Sequence, residues 1–365
     1  MSFKVGIIGH TGRGNYGHYL DMAFVGVEGA EIAALADPDD EGRAEAAEKT
    51  GARTAYADYR EMLNVEKPDI AVVASREVGD HRDLVIDAAQ AGANVYLEKP
   101  VATAPEDVDA MQAACDESSV MCVVAHPWRG HPPIQRVAIP LIKSGRIGEP
   151  RLVRIFGKDG EKGGDEMFLD LYPHFFDFLW QVFGVPLWCS AHLTQDGRTC
   201  EQSDLRPGWE GMGLVAGNGL KAYYCFEGGV AADFESYQGD GASDPYRVDI
   251  YGTEGTISLP GPMGRGPDIY WHPRANPELI DDDGWEVIPA EPPPDRHKWL
   301  RAHKRMARSM MDMLEGKEPE WDLVQLPNAK LYLEMALLAH ASHMRGARVG
   351  LPLPDGKNPF DHWTA

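Results

Sequence analysis

Lys99 stands in YLEKPVATAPEDVDAM, residues 96–111, where a strand ending near Leu97 gives way to a helix starting near Pro105. A lysine beside a carbinol can donate hydrogen bonds to its oxygen and stabilise the alkoxide that develops as hydride leaves. Pro100 fixes the turn that follows and keeps the preceding residue out of helical geometry, so the lysine is held rather than trailing. The other reading is a surface lysine paired with Glu98, and residue type alone leaves both open. A second group lies in FLDLYPHFFDFLW, where spacings of four and three put Asp170, His174 and Asp177 on one helical face. A histidine there can accept the proton of a substrate hydroxyl in one direction and return it in the other. The competing reading is an N-terminal cap at Asp170 and a core-facing His174 satisfied by backbone.

The stretch KVGIIGHTGRGNYGHYL carries Gly6, Gly9, Gly12, Gly14 and Gly17, and GRGNYG satisfies GxGxxG. Such a loop, joining a first strand to a first helix, lets backbone amides approach a pyrophosphate seated at the positive end of that helix. Asp37 ends the next strand about 20 residues later, the spacing of an acid that grips the adenosine ribose hydroxyls. Its alternative is a turn residue in ADPDD. A carboxylate there repels a ribose phosphate and no arginine follows directly, so NAD is favoured over NADP. The cofactor set is therefore Gly9, Thr11, Gly12, Arg13, Gly14 and Asp37, with Ser75, His81, Glu98 and Lys99 from later loops. His81 is placed on the nicotinamide side, with a helix cap as the other reading. In HPWRGH, Trp128 and Arg129, flanked by His126 and His131, suit the apolar face and the hydroxyls of a sugar, though each is equally suited to packing. No HxxxH or HExxH spacing occurs, and no metal is expected.

These groups need a scaffold, and the first third supplies one. Lys4–Ile8, Glu31–Ala36, Asp69–Ala74, Asn94–Leu97 and Val120–Ala125 are short apolar runs, alternating with helical patterns such as Glu41–Lys49, Asp83–Ala91 and Pro105–Asp116. That alternation predicts an N-terminal Rossmann-type doubly wound parallel sheet over residues 1–125, with Lys99 leaving a strand at the carboxyl edge where ligands bind. Beyond it the spacing predicts helices over 131–144 and 168–183, with the strand RLVRIFG between them. Closely spaced strands follow at Leu187–Leu193, Leu214–Ala216, Leu220–Phe226, Val230–Tyr237, Tyr246–Tyr251 and Thr256–Leu259. The stretch Gly261–Pro294 reads as an excursion with a short hairpin, and helices at 299–315 and 326–344 close the chain. Residues 126–365 are thus expected to form an α+β substrate-binding and oligomerisation domain on a large, mostly antiparallel open sheet.

The totals exclude some classes. A net charge of −22 over 365 residues argues against nucleic acid or an anionic membrane as partner. No apolar run approaches the roughly 20 residues needed to span a bilayer, and MSFKVGIIGH shows no signal-peptide pattern. Five cysteines without a CxxC pair read as reduced packing residues of a cytoplasmic protein.

Over nearly its whole length the chain resembles the Gfo/Idh/MocA family of oxidoreductases, which includes glucose–fructose oxidoreductase and inositol dehydrogenase. The resemblance rests on GIIG, ADPD, His81 with DLVIDAAQAGANVYLEKPVA, HPWRGHPPIQRVAIPLIKSGRIGEPR, DLYPHFFD, YGTEGTI and RGARVGLPL. It implies that Lys99 contacts substrate and assists catalysis, that His174 is the general acid/base, and that Asp170 binds and orients substrate. Asp177 stays mainly structural. The pattern departs at Tyr172 and Pro173, where a glycine is common, at Gly163–Glu166, a reduced glycine-rich lead, and at Thr11, a usual glycine position. Those departures bear on the substrate more than on the reaction. The expected protein is an NAD-dependent dehydrogenase of a sugar, sugar derivative or polyol, assembled as a homodimer or homotetramer. A redox-neutral NAD-dependent glycosidase and a non-catalytic nicotinamide sensor are the alternatives, and the joint presence of Lys99 and His174 speaks against the sensor.

Overall fold

Runs such as VGII and AVVA are apolar on both sides, so the sheet that they form must be covered on both faces. The computed structural model describes residues 2–157, 163–239, 247–260, 269–275, 284–289, 297–353 and 356–363. It divides into two units. One comprises Met1–Gly130, Trp209–Gly213 and Trp299–Leu333; the other comprises His131–Gly208, Leu214–Lys298 and Glu334–Ala365.

The first unit opens with β1 (Phe3–Ile8), β2 (Ala30–Ala36), α1 (Asp40–Thr50), β3 (Thr54–Tyr56), α2 (Tyr59–Glu66), β4 (Ile70–Val73), α3 (Val78–Gln90), β5 (Asn94–Leu97), α4 (Pro105–Ser118) and β6 (Cys122–Val124). Most of these strands and helices fall within a few residues of their expected places. β3 has no apolar run to announce it, since Thr54 and Ala55 are exposed. The helix expected directly after the glycine loop is absent. Among the described residues, the chain between β1 and β2 holds only the 3-10 turn Leu20–Met22. The cause is local: Gly12, Gly14, Asn15, His18 and Tyr19 all have positive φ, and a right-handed helix cannot run through left-handed residues.

The second unit begins with a π-helical stretch, Pro133–Ala138, that runs into α5 (Ile139–Lys143); together they form the helix expected over 131–144. It continues with β7 (Pro150–Phe156), α6 (Asp165–Phe183), β8 (Trp188–Gln195), β9 (Arg198–Thr199), β10 (Leu205–Pro207), β11 (Leu214–Ala216), β12 (Gly219–Cys225), β13 (Ala231–Tyr237), β14 (Arg247–Gly252), β15 (Thr256–Pro260), β16 (Tyr270–His272) and β17 (Glu286–Val287). Nine of them form one sheet in the order β17-β16-β15-β14-β7-β13-β12-β8-β9. Only the β7–β13 pair runs parallel. The expected strand Leu214–Ala216 instead pairs with β10 in a separate two-stranded sheet. Within Gly261–Pro294, where a short hairpin is expected, β16 and β17 pair antiparallel; residues 261–268, 276–283 and 290–294 of that stretch, and Tyr246, lie outside the described residues. Side chains alternate in β12 and β13, burying one face. That face meets α6, where Phe168 packs edge-on to Phe234 at 4.8 Å and Phe176 to Tyr224 at 5.0 Å.

The chain then returns to the first unit with α7 (Lys298–Leu314) and β18 (Val324–Gln325), before α8 (Leu326–Arg345). β18 pairs antiparallel with β6 and completes the order β18-β6-β5-β4-β1-β2-β3. Met306, Ala307, Met310 and Met311 of α7 join the core made by Val5, Ile7, Val72, Tyr96 and Val123, beside Leu20, Ala23 and Phe24. These residues cover the sheet where the helix after the glycine loop was expected. The first unit thus extends past the division expected at 125/126 and includes residues 299–333, because no signal in α7's own sequence says which sheet it covers. No helix among the described residues is long and apolar enough to cross a membrane.

Candidate active site

The strand order places a topological switch between β1 and β4, and a ligand crevice is expected at the carboxyl edge there. A cavity of about 410 Å³ opens at this edge, lined among others by Gly9, His10, Arg13, Asp37, Arg60 and Ser75. The glycine loop shapes one wall. The Gly12 amide donates to Asn15 Oδ1 at 2.9 Å and the Arg13 amide to the His10 carbonyl at 3.0 Å. Gly14, at φ +75°, packs so tightly on Ser75 and the Glu77 amide that a Cβ would collide with both. Arg13 is held by Asp80 at 2.8 Å. Asp37 is fully buried, and its carboxylate accepts hydrogen bonds from the Thr11 hydroxyl (2.7 Å), the Tyr16 hydroxyl (2.9 Å) and the Asp39 amide (2.9 Å).

Of the expected cofactor residues, Gly9, Arg13, Asp37 and Ser75 line the cavity, while Thr11, Gly12, Gly14, His81, Glu98 and Lys99 do not. His81 is buried, with its ring nitrogens 2.9 Å from the Pro100 carbonyl and 2.8 Å from the Ser75 carbonyl. It ties the loop after β4 to the turn after β5. Lys99 is buried too, and the Lys99–Pro100 peptide bond is cis. The surface ion-pair reading of Lys99 therefore fails. Glu98 is equally buried and meets His18 Nδ1 at 2.7 Å. Burial alone would raise the Glu98 carboxyl; His18, and after it Lys99, hold it below the usual carboxylate range. Beside Glu98, the Tyr96 hydroxyl faces His303 Nδ1 at 3.0 Å, and burial drives His303 down to about 4.

In the second unit α6 carries the other constellation. The helix starts at Asp165, so Asp170 lies inside it and is no N-cap. Asp170, His174 and Asp177 share a face, with His174 and Asp177 buried. Asp177 accepts from Gln181 Nε2 at 3.4 Å. The helix's first turn is anchored. Asp165 Oδ1 lies 2.7 Å from His340 Nε2, and Oδ2 accepts the Ala216 amide at 2.9 Å. Arg206 grips Glu166 with both guanidinium nitrogens, at 2.8 and 3.0 Å.

Trp128 and Arg129 fall in the first unit, both buried. The Arg129 guanidinium reaches the Tyr332 hydroxyl at 3.4 Å and the Asp322 carboxylate at 4.0 Å. Sequence reasoning missed Tyr16, His18, His10, Arg60, Asp165 and His340. Asp165 and Glu166 stood next to the quoted motif, but partners such as His340 and Arg206 are fixed only by the fold. Among the described residues no group of three or more His, Cys, Asp or Glu side chains gathers as a metal site.

Residues 3–126 match the Gfo/Idh/MocA family, described as an oxidoreductase family with an NAD-binding Rossmann fold. Through these residues, about a third of its length, the chain is similar to that family. Its members bind NAD, and the cavity fits a dinucleotide: glycines for close backbone approach, an acid at the end of β2, and the carboxyl edge of the sheet. D-apiose dehydrogenase of Paraburkholderia graminis is 39% identical over 124 residues, which is 34% of this chain and 32% of that protein. The scyllo-inositol 2-dehydrogenase (NAD(+)) of Bacillus subtilis is 28% identical over 258 residues, 68% of this chain and 72% of that one. The match thus spans about a third of the first relative and under three quarters of the second. A structure of levoglucosan dehydrogenase with NADH superposes at a TM-score of 0.75 and 18% identity, covering 97% of this chain and 100% of that one, a likeness of fold.

Proposed function

We propose that the chain is an NAD-dependent dehydrogenase that moves a hydride between the CH–OH group of a sugar, sugar derivative or polyol and nicotinamide. The observation that carries this is Lys99, buried at the carboxyl edge of β5 between Glu98 and Pro100 in a family of NAD-binding oxidoreductases. The named relatives, which act on apiose and on inositol, support a polyhydroxylated substrate. Gly9, Arg13, Asp37 and Ser75 would hold NAD, which supplies the hydride acceptor when bound. Lys99 donates a hydrogen bond to the carbinol oxygen and stabilises the negative charge that develops there. His174 takes the hydroxyl proton, and Asp170 orients the substrate. Trp128 and Arg129 are packing and substrate contacts on the sugar side. The protein works in the cytoplasm as a homodimer or homotetramer associated through the open face of the nine-stranded sheet, where Tyr223 and Tyr237 are exposed; a monomer by light scattering at micromolar concentration contradicts that assembly.

The test is a panel of sugars and polyols with NAD and NADP, read by the absorbance of reduced cofactor. On the substrate so found, Lys99→Ala is expected to lose roughly 100- to 1000-fold in kcat, the scale of one lost donor to a developing oxyanion, while NAD binding persists. Full turnover by Lys99→Ala sinks the assignment. Release of free sugar from a glycoside with no net NADH points to the redox-neutral glycosidase instead.

A further inference from the structure

Asp37 has no solvent-accessible surface, although the cofactor cavity lies against it. Oδ2 accepts the Thr11 hydroxyl at 2.7 Å, the Tyr16 hydroxyl at 2.9 Å and the Thr11 amide at 3.0 Å; Oδ1 accepts the Asp39 amide at 2.9 Å and shares the Thr11 amide at 3.2 Å. A carboxylate offers about four lone-pair sites, and these donors fill them. The two amides belong to the backbone frame. The two hydroxyls are side chains from the glycine loop, and together they present to the acid what a ribose diol would present.

The seating of both side chains is built into the sequence. The Tyr16 ring lies directly on Gly9 and the Thr11 side chain directly on Gly42, so that a Cβ at either glycine would collide with it. The turn that brings Tyr16 back over the loop runs through Gly14 at φ +75° and Asn15 at φ 50°. Nothing here depends on a long helix after β1, and its replacement by this folded-back loop is what brings Tyr16 to Asp37.

We propose that Thr11 and Tyr16 are affinity-determining residues for the dinucleotide: their hydroxyls hold the ribose acid and are exchanged for the adenosine ribose hydroxyls when NAD binds. The proposal rests on the assignment of Asp37 to the adenosine ribose. The exchange is hydroxyl for hydroxyl, so no proton need be gained or lost. Its consequence is that the ribose hydroxyls gain little for binding, because each one only replaces a bond that is already made.

Isothermal titration with ADP-ribose, an adenosine probe that lacks nicotinamide, tests this without turnover. Tyr16→Phe leaves an acceptor of Asp37 open and is expected to bind ADP-ribose about fivefold more tightly, the net worth of one ordinary hydrogen bond. Equal or weaker binding by a Tyr16→Phe protein that melts like the wild type overturns the proposal while the dehydrogenase reading stands. Should that variant fail to fold, the wild type decides alone, through NAD against its analogue lacking the adenosine 2′-hydroxyl. With Tyr16 and Thr11 free to return to Asp37, the loss is expected to stay under about fivefold, whereas an orphaned charged acceptor gives about tenfold or more. A loss above fivefold overturns the exchange. A wild type that binds neither NAD nor ADP-ribose removes the dehydrogenase reading and the proposal with it.

Discussion

Replacing His340 by leucine tests whether the start of α6, the helix carrying Asp170 and His174, depends on a buried polar anchor. Asp165 and His340 have no exposed side-chain surface and meet at 2.7 Å. The imidazole is stacked at 3.9 Å on Phe360, 10° from parallel, so it is fixed on its face as well as at its edge. His340→Leu keeps apolar contact with Phe360 but leaves the Asp165 carboxylate with the Ala216 amide and no imidazole. Breaking a buried pair from one side costs about 3–5 kcal/mol, because the desolvated carboxylate stays behind. At roughly 2–4 °C per kcal/mol for a domain of this size, the melting transition falls by roughly 6–20 °C. Calorimetric melting with urea titration reads the single variant, and Asp165→Asn with His340→Leu gives the second leg of a cycle. Removing the charge together with its partner is expected to restore more than half of the loss. A single variant that loses less than about 1 kcal/mol, or a double variant no better than the single, refutes the anchor.

Three further outcomes follow from packing and charge. His303 is held at about 4 against an ordinary value of 6.5, so the unfolded chain takes up a proton that the fold refuses. Stability is therefore full above pH 6.5 and declines by about 3 kcal/mol as the pH falls to 4. Urea midpoints across that range should lose much of this slope in His303→Asn. Glu98, held low, adds its own loss only below the usual carboxylate range, since its contribution is present above that range and lost as the pH falls through its folded value. Met310 is wholly buried against the first sheet, and Met310→Ala should cost about 2–5 kcal/mol in chemical denaturation. Gly14→Ala, strained at φ +75° and colliding with Ser75, should weaken NAD binding by about tenfold or more in titration calorimetry.

Much of the fold was legible because its signals are local. β5 falls at Asn94–Leu97 as expected, since NVYL is an apolar run bounded by a turn and by Glu98. Asp170, His174 and Asp177 share a face because spacing fixes direction once α6 exists. What was not legible depends on contacts between distant residues. GxGxxG does not encode the helix that usually follows it, and successive left-handed residues replaced it here. Nothing near Asp165 names His340 as its partner, 175 positions away. Composition could not tell that Glu98 is buried against His18, so Lys99 read as either a surface pair or a functional group until burial excluded the first.

The return of α7 and β18 to the first sheet sets a timetable for synthesis. Residues 1–130 leave the ribosome long before Met306, Met310 and Val324 exist. Until then the sheet face later covered by α7 is bare, and β6 is an open edge able to pair with another chain. The nucleotide-binding unit is thus completed only once Val324 has been made, and a message truncated before α7 yields a sheet that is competent to aggregate but not to close.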